Sequence, residues 1–399
     1  MRRRNFLQGL TATVAMAGLR APFAYASGDI RRLVIFYNQG GWDPSYVFDP
    51  HFDEDTVEGD PGATPSEASG IQFAHSPMRP SVQRFFKAYG SKTAVLNGLR
   101  VPSISHTQGA RLLLTGRRAL SAPDLPTLVA QQFGVDLPMP HLVIAGPRFP
   151  GGVSGTMVPL SRTLTGTVHG ELPSHFQGDE SQESALQEFL ANEHEALSPT
   201  NPLFERMQGA WTQREALRGE FPLHVGRDPS ISDQIDNVVD AFQSGISCCA
   251  TLMSELPELV VWDSHSDNAI NQSRAFDASF AQLHMLVERL LAADLWSTTT
   301  ILVASEMGRS PLLNALGGKD HWPYTSAMLL GAGVRGGQVF GASDANLIGE
   351  KIDFATGEPS ANGAVLDIAN LHAGLLAAFD IDPAQHLPDV ALFGAPFSG

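Results

Sequence analysis

What most constrains this chain is a set of short apolar runs, each ending in a polar or glycine-bearing turn. Arg32–Tyr37 runs into Asn38-Gln39-Gly40-Gly41-Trp42-Asp43, and Thr299–Ala304 runs into Ser305-Glu306-Met307-Gly308-Arg309. Leu259–Trp262 is read the same way and leads into Asp263-Ser264-His265-Ser266-Asp267-Asn268. Unbroken apolar runs of this length suit strands buried on both faces, as in a parallel sheet. Further strands are predicted at Thr93–Leu96, His141–Ala145 and Ser326–Leu330. Helical spacing appears at Ser81–Ala88, Thr107–Leu114, Phe276–Ala293 and Val365–Phe379. Strands alternating with helices predict an α/β fold: a doubly wound, mostly parallel sheet flanked by helices. Residues 49–80 are acidic and rich in Gly, Pro and Ser, which predicts a long surface loop. Residues 178–256 show only helical spacing, through Ala185–Leu197, Leu203–Leu217 and Ile231–Leu256, and read as a helical insertion.

The first 26 residues read as an address. Arg3-Arg4-Asn5-Phe6-Leu7 fits a twin-arginine pattern, an apolar stretch from Leu10 to Leu19 is too short to span a bilayer, and Ala24-Tyr25-Ala26 suits a cleavage site. The expected mature chain is 27–399, a single α/β domain with the insertion, exported to the periplasm with the twin-arginine translocase as a transient partner. No later stretch is long and apolar enough to be a membrane span. The formal charge is −16, and loss of four arginines with the leader takes it to about −20, which argues against nucleic acid as a partner. An anionic substrate would then need a local cation. Cys248 and Cys249 are adjacent, are placed on a helix, and read as buried thiols rather than a disulfide.

In open α/β sheets, ligands bind outside the carboxyl ends of the strands. Asp43, His106, Asp263, His265, Glu306, Asp320 and His321 all follow strands or glycine-bearing turns. Mixed carboxylate and imidazole donors suit Zn²⁺, Mn²⁺ or Fe better than Ca²⁺. The metal ligands expected are Asp43, Asp263, His265, Glu306, Asp320 and His321, holding one or two divalent ions, Zn or Mn first. Arg309, Lys319 and Asn268 are placed as substrate-binding groups, with Arg309 able to grip an anion by two hydrogen bonds. The plain alternatives are a turn role for Asp43, an ion pair between Arg309 and Glu306, and a half-buried histidine at His321.

Four motifs carry a resemblance: Gly40-Gly41-Trp42-Asp43, Asp263-x-His265-x-x-Asn268, Ser305-Glu306-x-Gly308-Arg309 and Gly318-x-Asp320-His321. With the leader, they resemble an uncharacterised twin-arginine-exported branch of the alkaline phosphatase and sulfatase superfamily. The resemblance implies a core parallel sheet and a site of one or two divalent metals. By position it makes Asp43 the first metal carboxylate, Asp263 the first residue of a later ligand pair, Glu306 the carboxylate of an Asp-His pair, and His321 the last metal histidine. The segment His106–Gly116 resembles the sulfatase run that opens a helix with a nucleophile, where backbone N–H groups receive an anion. This chain departs from the pattern in three places. His106 stands at the nucleophile position, flanked by Ser105 and Thr107. His265 comes two residues after Asp263 rather than four. Met307 replaces the histidine expected after Glu306.

The expected function is periplasmic, metal-dependent hydrolysis of phosphate or sulfate esters, on a small anionic ester or sugar substrate. Ser105 or Thr107 would attack, or a metal-activated water, with His106 as base or ligand. The rival reading is a non-catalytic metal- or ligand-binding relative, motivated by His106 and Met307. A third, an assembly or cell-surface accessory protein, draws only on the acidic segment.

Overall fold

A computed structural model describes residues 30–153, 156–159 and 230–397. The central sheet is built from β1 (Arg32–Tyr37), β4 (Thr93–Arg100), β5 (His141–Val143), β6 (Met157–Pro159), β7 (Cys249–Met253), β8 (Thr299–Ala304), β11 (Tyr324–Gly331) and β12 (Gln338–Phe340). Between them lie two hairpins, β2–β3 (Thr64–Ala68 and Ile71–His75) and β9–β10 (Gly308–Arg309 and His321–Trp322). The sheet order is β12-β4-β11-β8-β1-β7-β5-β6. Strand β11 runs antiparallel to both its neighbours, and the other adjacent pairs are parallel. Every side chain of β1 and β8 is buried, as a strand covered on both faces requires.

Helices cover both faces. On one lie α1 (Pro80–Tyr89), α4 (Ile231–Gln243) and α5 (Asn268–Ala292), and on the other α2 (His106–Thr115), α3 (Leu125–Phe133) and α6 (Ile368–Ala378). The starts of α4 and α6 are set by reciprocal caps, Ser230 with Asp233 and Asp367 with Asn370. The α5 face carries an aromatic core: Trp42 stacks on Phe276 at 5.8 Å, and Trp262 meets the same ring edge-on at 4.9 Å. Both tryptophans are next to site carboxylates in sequence, so this core anchors the turns bearing Asp43 and Asp263. The chain from Arg31 onward forms one compact unit, and no described helix is long and apolar enough to cross a membrane.

The α/β class and the doubly wound, mostly parallel sheet match the sequence reading. Three local expectations do not. Residues 49–80 hold the β2–β3 hairpin, with Ile71 and Phe73 buried in the core. The run Ile231–Leu256 is a helix only to Gln243; after Gly245 it becomes β7, paired between β1 and β5. A short apolar run without alternation looks alike in a buried helix and a buried strand. The two cysteines therefore sit at the start of a strand, as free buried thiols 4.0 Å apart. Leu259–Trp262 is a loop, with Leu259 exposed and at φ 65°. Asp263 thus follows β7 through a connection rather than a strand of its own. The helices expected at Ala185–Leu197 and Leu203–Leu217 lie outside the described residues.

Candidate metal centre

The connections leaving β1, β4, β7 and β8 all open at the carboxyl edge of the sheet. The β1 connection turns at Gly40 and Gly41, with φ of 127° and 85°, which a side chain rarely adopts. A Cβ on Gly40 would also come within 2.9 Å of the Asp263 backbone nitrogen. This turn donates Gly40 N–H to both Glu306 carboxylate oxygens, at 2.9 and 3.1 Å, and Gly41 N–H to Ser305 Oγ at 3.0 Å. The turn therefore holds Ser305 and Glu306, both fully buried, at the end of β8.

From there Glu306 Oε1 meets His106 Nδ1 at 2.7 Å. His106 is the first residue of α2, which brings it over the same edge. Its Nε2 faces Asp263 Oδ2 at 3.2 Å. Two more imidazoles face the other oxygen of that carboxylate: His321 Nε2 at 3.0 Å and His265 Nε2 at 3.2 Å from Asp263 Oδ1. The two Nε2 atoms stand 3.0 Å apart. His321 is delivered by β10, which pairs with Arg309 on β9. His265 lies in the tight turn just beyond Asp263.

Each imidazole is held from behind through Nδ1. His106 is held by Glu306, His321 by the Ile104 carbonyl at 2.6 Å, and His265 by Asp320 Oδ1 at 3.3 Å. A backbone carbonyl and a carboxylate accept hydrogen bonds, so a neutral ring donates from Nδ1 and presents a lone pair at Nε2. Three such lone pairs then face one another and an anionic carboxylate. That arrangement is repulsive unless a cation, a metal ion or added protons, lies among them. Tetrahedral zinc with bonds of about 2.0–2.1 Å sets its ligand atoms roughly 3.3 Å apart, close to the spacings here. One donor atom each from His106, Asp263 and His321 lies within 4.8 Å of the others, with His265 adjoining. The donor set fits a divalent metal ion, with the carboxylate behind His106 acting as an orienting partner.

Charge follows the geometry. Burial pushes the Asp263 carboxyl up, but hydrogen bonds from Arg309 and His321, and the charges of Arg309 and His106, bring it well below the usual carboxylate range. The hydrogen bond to Glu306 raises His106 against the opposing effect of burial. Tyr37 is pushed far up, by burial first and then by the charge of Glu306.

The structure brings His106, Asp263, His265 and His321 together, with Glu306 and Asp320 behind them. The other predicted residues do different work. Both Asp43 oxygens are already engaged: Oδ1 by Ser45, Oδ2 by Lys319 Nζ at 2.8 Å and Asn268 Nδ2 at 2.9 Å. Asp43 is thus a buried ion-pair partner rather than a ligand. Lys319, fully buried on Asp43 and Ser45, presents no free ammonium to an anion. Asn268 is buried between Asp43 and Ser264 and does not reach substrate. Arg309 is buried too; it donates to the carbonyls of Gly40, Gly41 and Lys319, and to Asp263 Oδ1 at 2.6 Å. It pairs with Asp263 rather than Glu306, and it holds a ligand instead of a substrate. Met307 is buried against Gly41. Ser105 and Thr107 are exposed beside His106. Sequence reasoning missed Ile104, whose contribution is a backbone carbonyl and leaves no trace in residue type. It also missed Gln272, which holds the Asp43 N–H, the Trp262 carbonyl and Ser264 from within α5.

Residues 238–391 match the model of a family described as a protein of unknown function, DUF1501. That span holds Asp263, His265, Glu306, Asp320 and His321 and stops short of His106. No curated protein sequence matches the chain. Among solved structures, the chain is similar to the PsFucS1 sulfatase from Pseudoalteromonas sp., at 11% identity and TM-score 0.42, over 94% of this chain and 74% of that one. It is similar to a protein in the alkaline phosphatase superfamily from Vibrio parahaemolyticus, at 9% identity and TM-score 0.40, over 88% and 67%. It is also similar to the C-terminal periplasmic domain of EcEptC from Escherichia coli, at 9% identity and TM-score 0.43, over 94% and 89%.

Proposed function

We propose that the protein is a metal-dependent hydrolase of phosphate or sulfate esters, exported to the periplasm with its leader removed. One observation carries this reading: three imidazole Nε2 atoms converge on the Asp263 carboxylate, each ring oriented from behind by an acceptor. The leader motif Arg3–Leu7 and the four strand-end motifs support it. His106, Asp263 and His321 would hold the ion, with His265 beside it. Once bound, it would supply Lewis-acid polarisation of the ester oxygen and a lowered pKa for an attacking water.

The chain's own groups set up the rest. Arg309 keeps Asp263 ionised, and Glu306 keeps the His106 lone pair facing inward. Attack by water on phosphorus or sulfur breaks the bond to the ester oxygen; one proton of the water goes to that oxygen, which leaves as the alcohol, and the other is released to solvent. His265, half-exposed and backed by Asp320, stands where its Nε2 can take a proton from the water and hand it to the ester oxygen. Ser105 and Thr107, at the start of α2, are the hydroxyls that could attack in place of water. The test has two parts. Purified protein should carry stoichiometric zinc or manganese, and the loaded protein should cleave at least one of an aryl phosphate, an aryl sulfate and a phosphodiester. Metal without any hydrolysis would favour the binding relative instead.

A further inference from the structure

Beside the metal centre, a cleft of about 480 Å³ opens at the carboxyl ends of β1, β5 and β7. His106 forms part of its wall, so the cleft and the metal centre share a side chain. Its volume lies in the range of small-ligand pockets. Gln39, Thr107 and Arg148 offer polar groups, while Met253 and Phe149 supply apolar surface; among the described residues no carboxylate lines it.

Two features single out Arg148 and Phe149. Arg148 is exposed and makes no hydrogen bond or ion pair among the described residues, in contrast to the buried and fully engaged Arg309. In a chain of charge −16, a guanidinium with no partner among the described residues, at the mouth of this cleft, suits an anion. Phe149 is pinned. Its N–H donates to Asp124 Oδ2 at 2.9 Å, and its carbonyl accepts from Asp124 N–H at 2.8 Å. Asp124 is itself the buried N-cap of α3, so the loop is clipped to a helix start. The Arg111 guanidinium lies 4.4 Å from the Phe149 ring centroid and covers one side of it. The ring is thus a preorganised wall rather than a mobile side chain.

We propose that this cleft binds the alcohol side of the substrate: a ring, sugar or aryl, carrying an anionic group of its own. The ring packs along Phe149 and Met253, its anion meets Arg148, and the ester bond is presented at His106. The proposal rests on the hydrolase reading for its role, but binding can be measured without turnover.

The probes are sulfonates with carbon–sulfur bonds, which are not esters and so are not hydrolysed. Full-length protein is titrated calorimetrically with 2-naphthalenesulfonate against 2-naphthol, and with 6-deoxy-6-sulfoglucose against glucose, both zinc-loaded and metal-stripped. In at least one pair, the sulfonated ring should bind about tenfold tighter than its neutral counterpart, and the pair that responds separates an aryl from a sugar ligand. Arg148→Ala should remove that preference and leave the circular dichroism unchanged, since the residue is exposed. Phe149→Ala should weaken both members of the pair. The proposal is overturned if neither sulfonate binds, if Arg148→Ala keeps the preference, or if stripping the metal abolishes it, because the anion would then sit on the ion. Failure of the hydrolysis panel with this binding intact would overturn the enzymatic reading alone.

Discussion

Replacing Glu306 with glutamine tests the centre at its least exposed point. The Glu306 carboxylate is fully buried and accepts from Gly40 N–H and from His106 Nδ1–H. Oε1 accepts from both groups, Gly40 N–H at 2.9 Å and His106 Nδ1–H at 2.7 Å, while Oε2 faces Gly40 N–H at 3.1 Å and Ser305 Oγ at 3.3 Å. An amide is neutral and has one acceptor oxygen and one donor nitrogen. With its oxygen at the Oε1 position it keeps both bonds, but without the negative charge that strengthens them. With its oxygen at the Oε2 position the NH₂ faces Nδ1, and His106 must carry its proton on Nε2, where it would block a metal. Either arrangement also sets the NH₂ against the Gly40 N–H. Loss of an orienting partner weakens metal affinity roughly 10–100-fold, or about 1.4–2.7 kcal/mol. Glu306→Gln should therefore lower zinc affinity by that factor in a chelator competition, and should also lower the melting temperature of the metal-free protein by a few degrees. Zinc affinity equal to the parent's would refute the orienting role and, with it, the assignment of His106 Nε2 as a metal ligand.

Asp263→Asn should cost more than Glu306→Gln in the same competition, at least 100-fold, because Asp263 is the carboxylate on which the three Nε2 atoms converge. Lys319→Met strands the Asp43 carboxylate in the interior and should reduce stability by about 3–5 kcal/mol in denaturant unfolding, with Asp43→Asn on the same chain recovering part of it. An anion-holding Lys319 would instead show itself in substrate binding at unchanged stability. His372 is fully buried and donates to the Leu113 carbonyl at 2.7 Å; burial lowers its pKa to about 4 against that bond's opposing pull. The unfolded chain takes up this proton near pH 6.5 and the folded chain only near 4, so stability falls as pH drops through that window, by roughly 3 kcal/mol in all. His372→Phe should flatten that slope in unfolding curves measured between pH 4 and 7.

The sequence by itself determined the α/β class, because strands covered on both faces carry unbroken apolar cores, Leu33–Phe36 and Ile301–Ala304, and that is visible residue by residue. It also marked the carboxylates and imidazoles at strand ends, since a sheet of this kind collects its site at one edge. It could not separate strand from helix at Cys249–Met253, where a buried run has no periodicity to read. Nor could it tell ligands from supports. Asp43 and Asp263 look alike in sequence, each an aspartate shortly after an apolar run. Only the packing puts Lys319 and Asn268 on one and three imidazoles on the other. The same holds for Arg309 and Arg148: the tertiary structure buries the first against carbonyls and leaves the second open at a cleft. The reason is physical. A side chain's type fixes which bonds it can make, but its partners come from segments up to hundreds of residues away, as Lys319 is from Asp43, and only the folded sheet brings them into range.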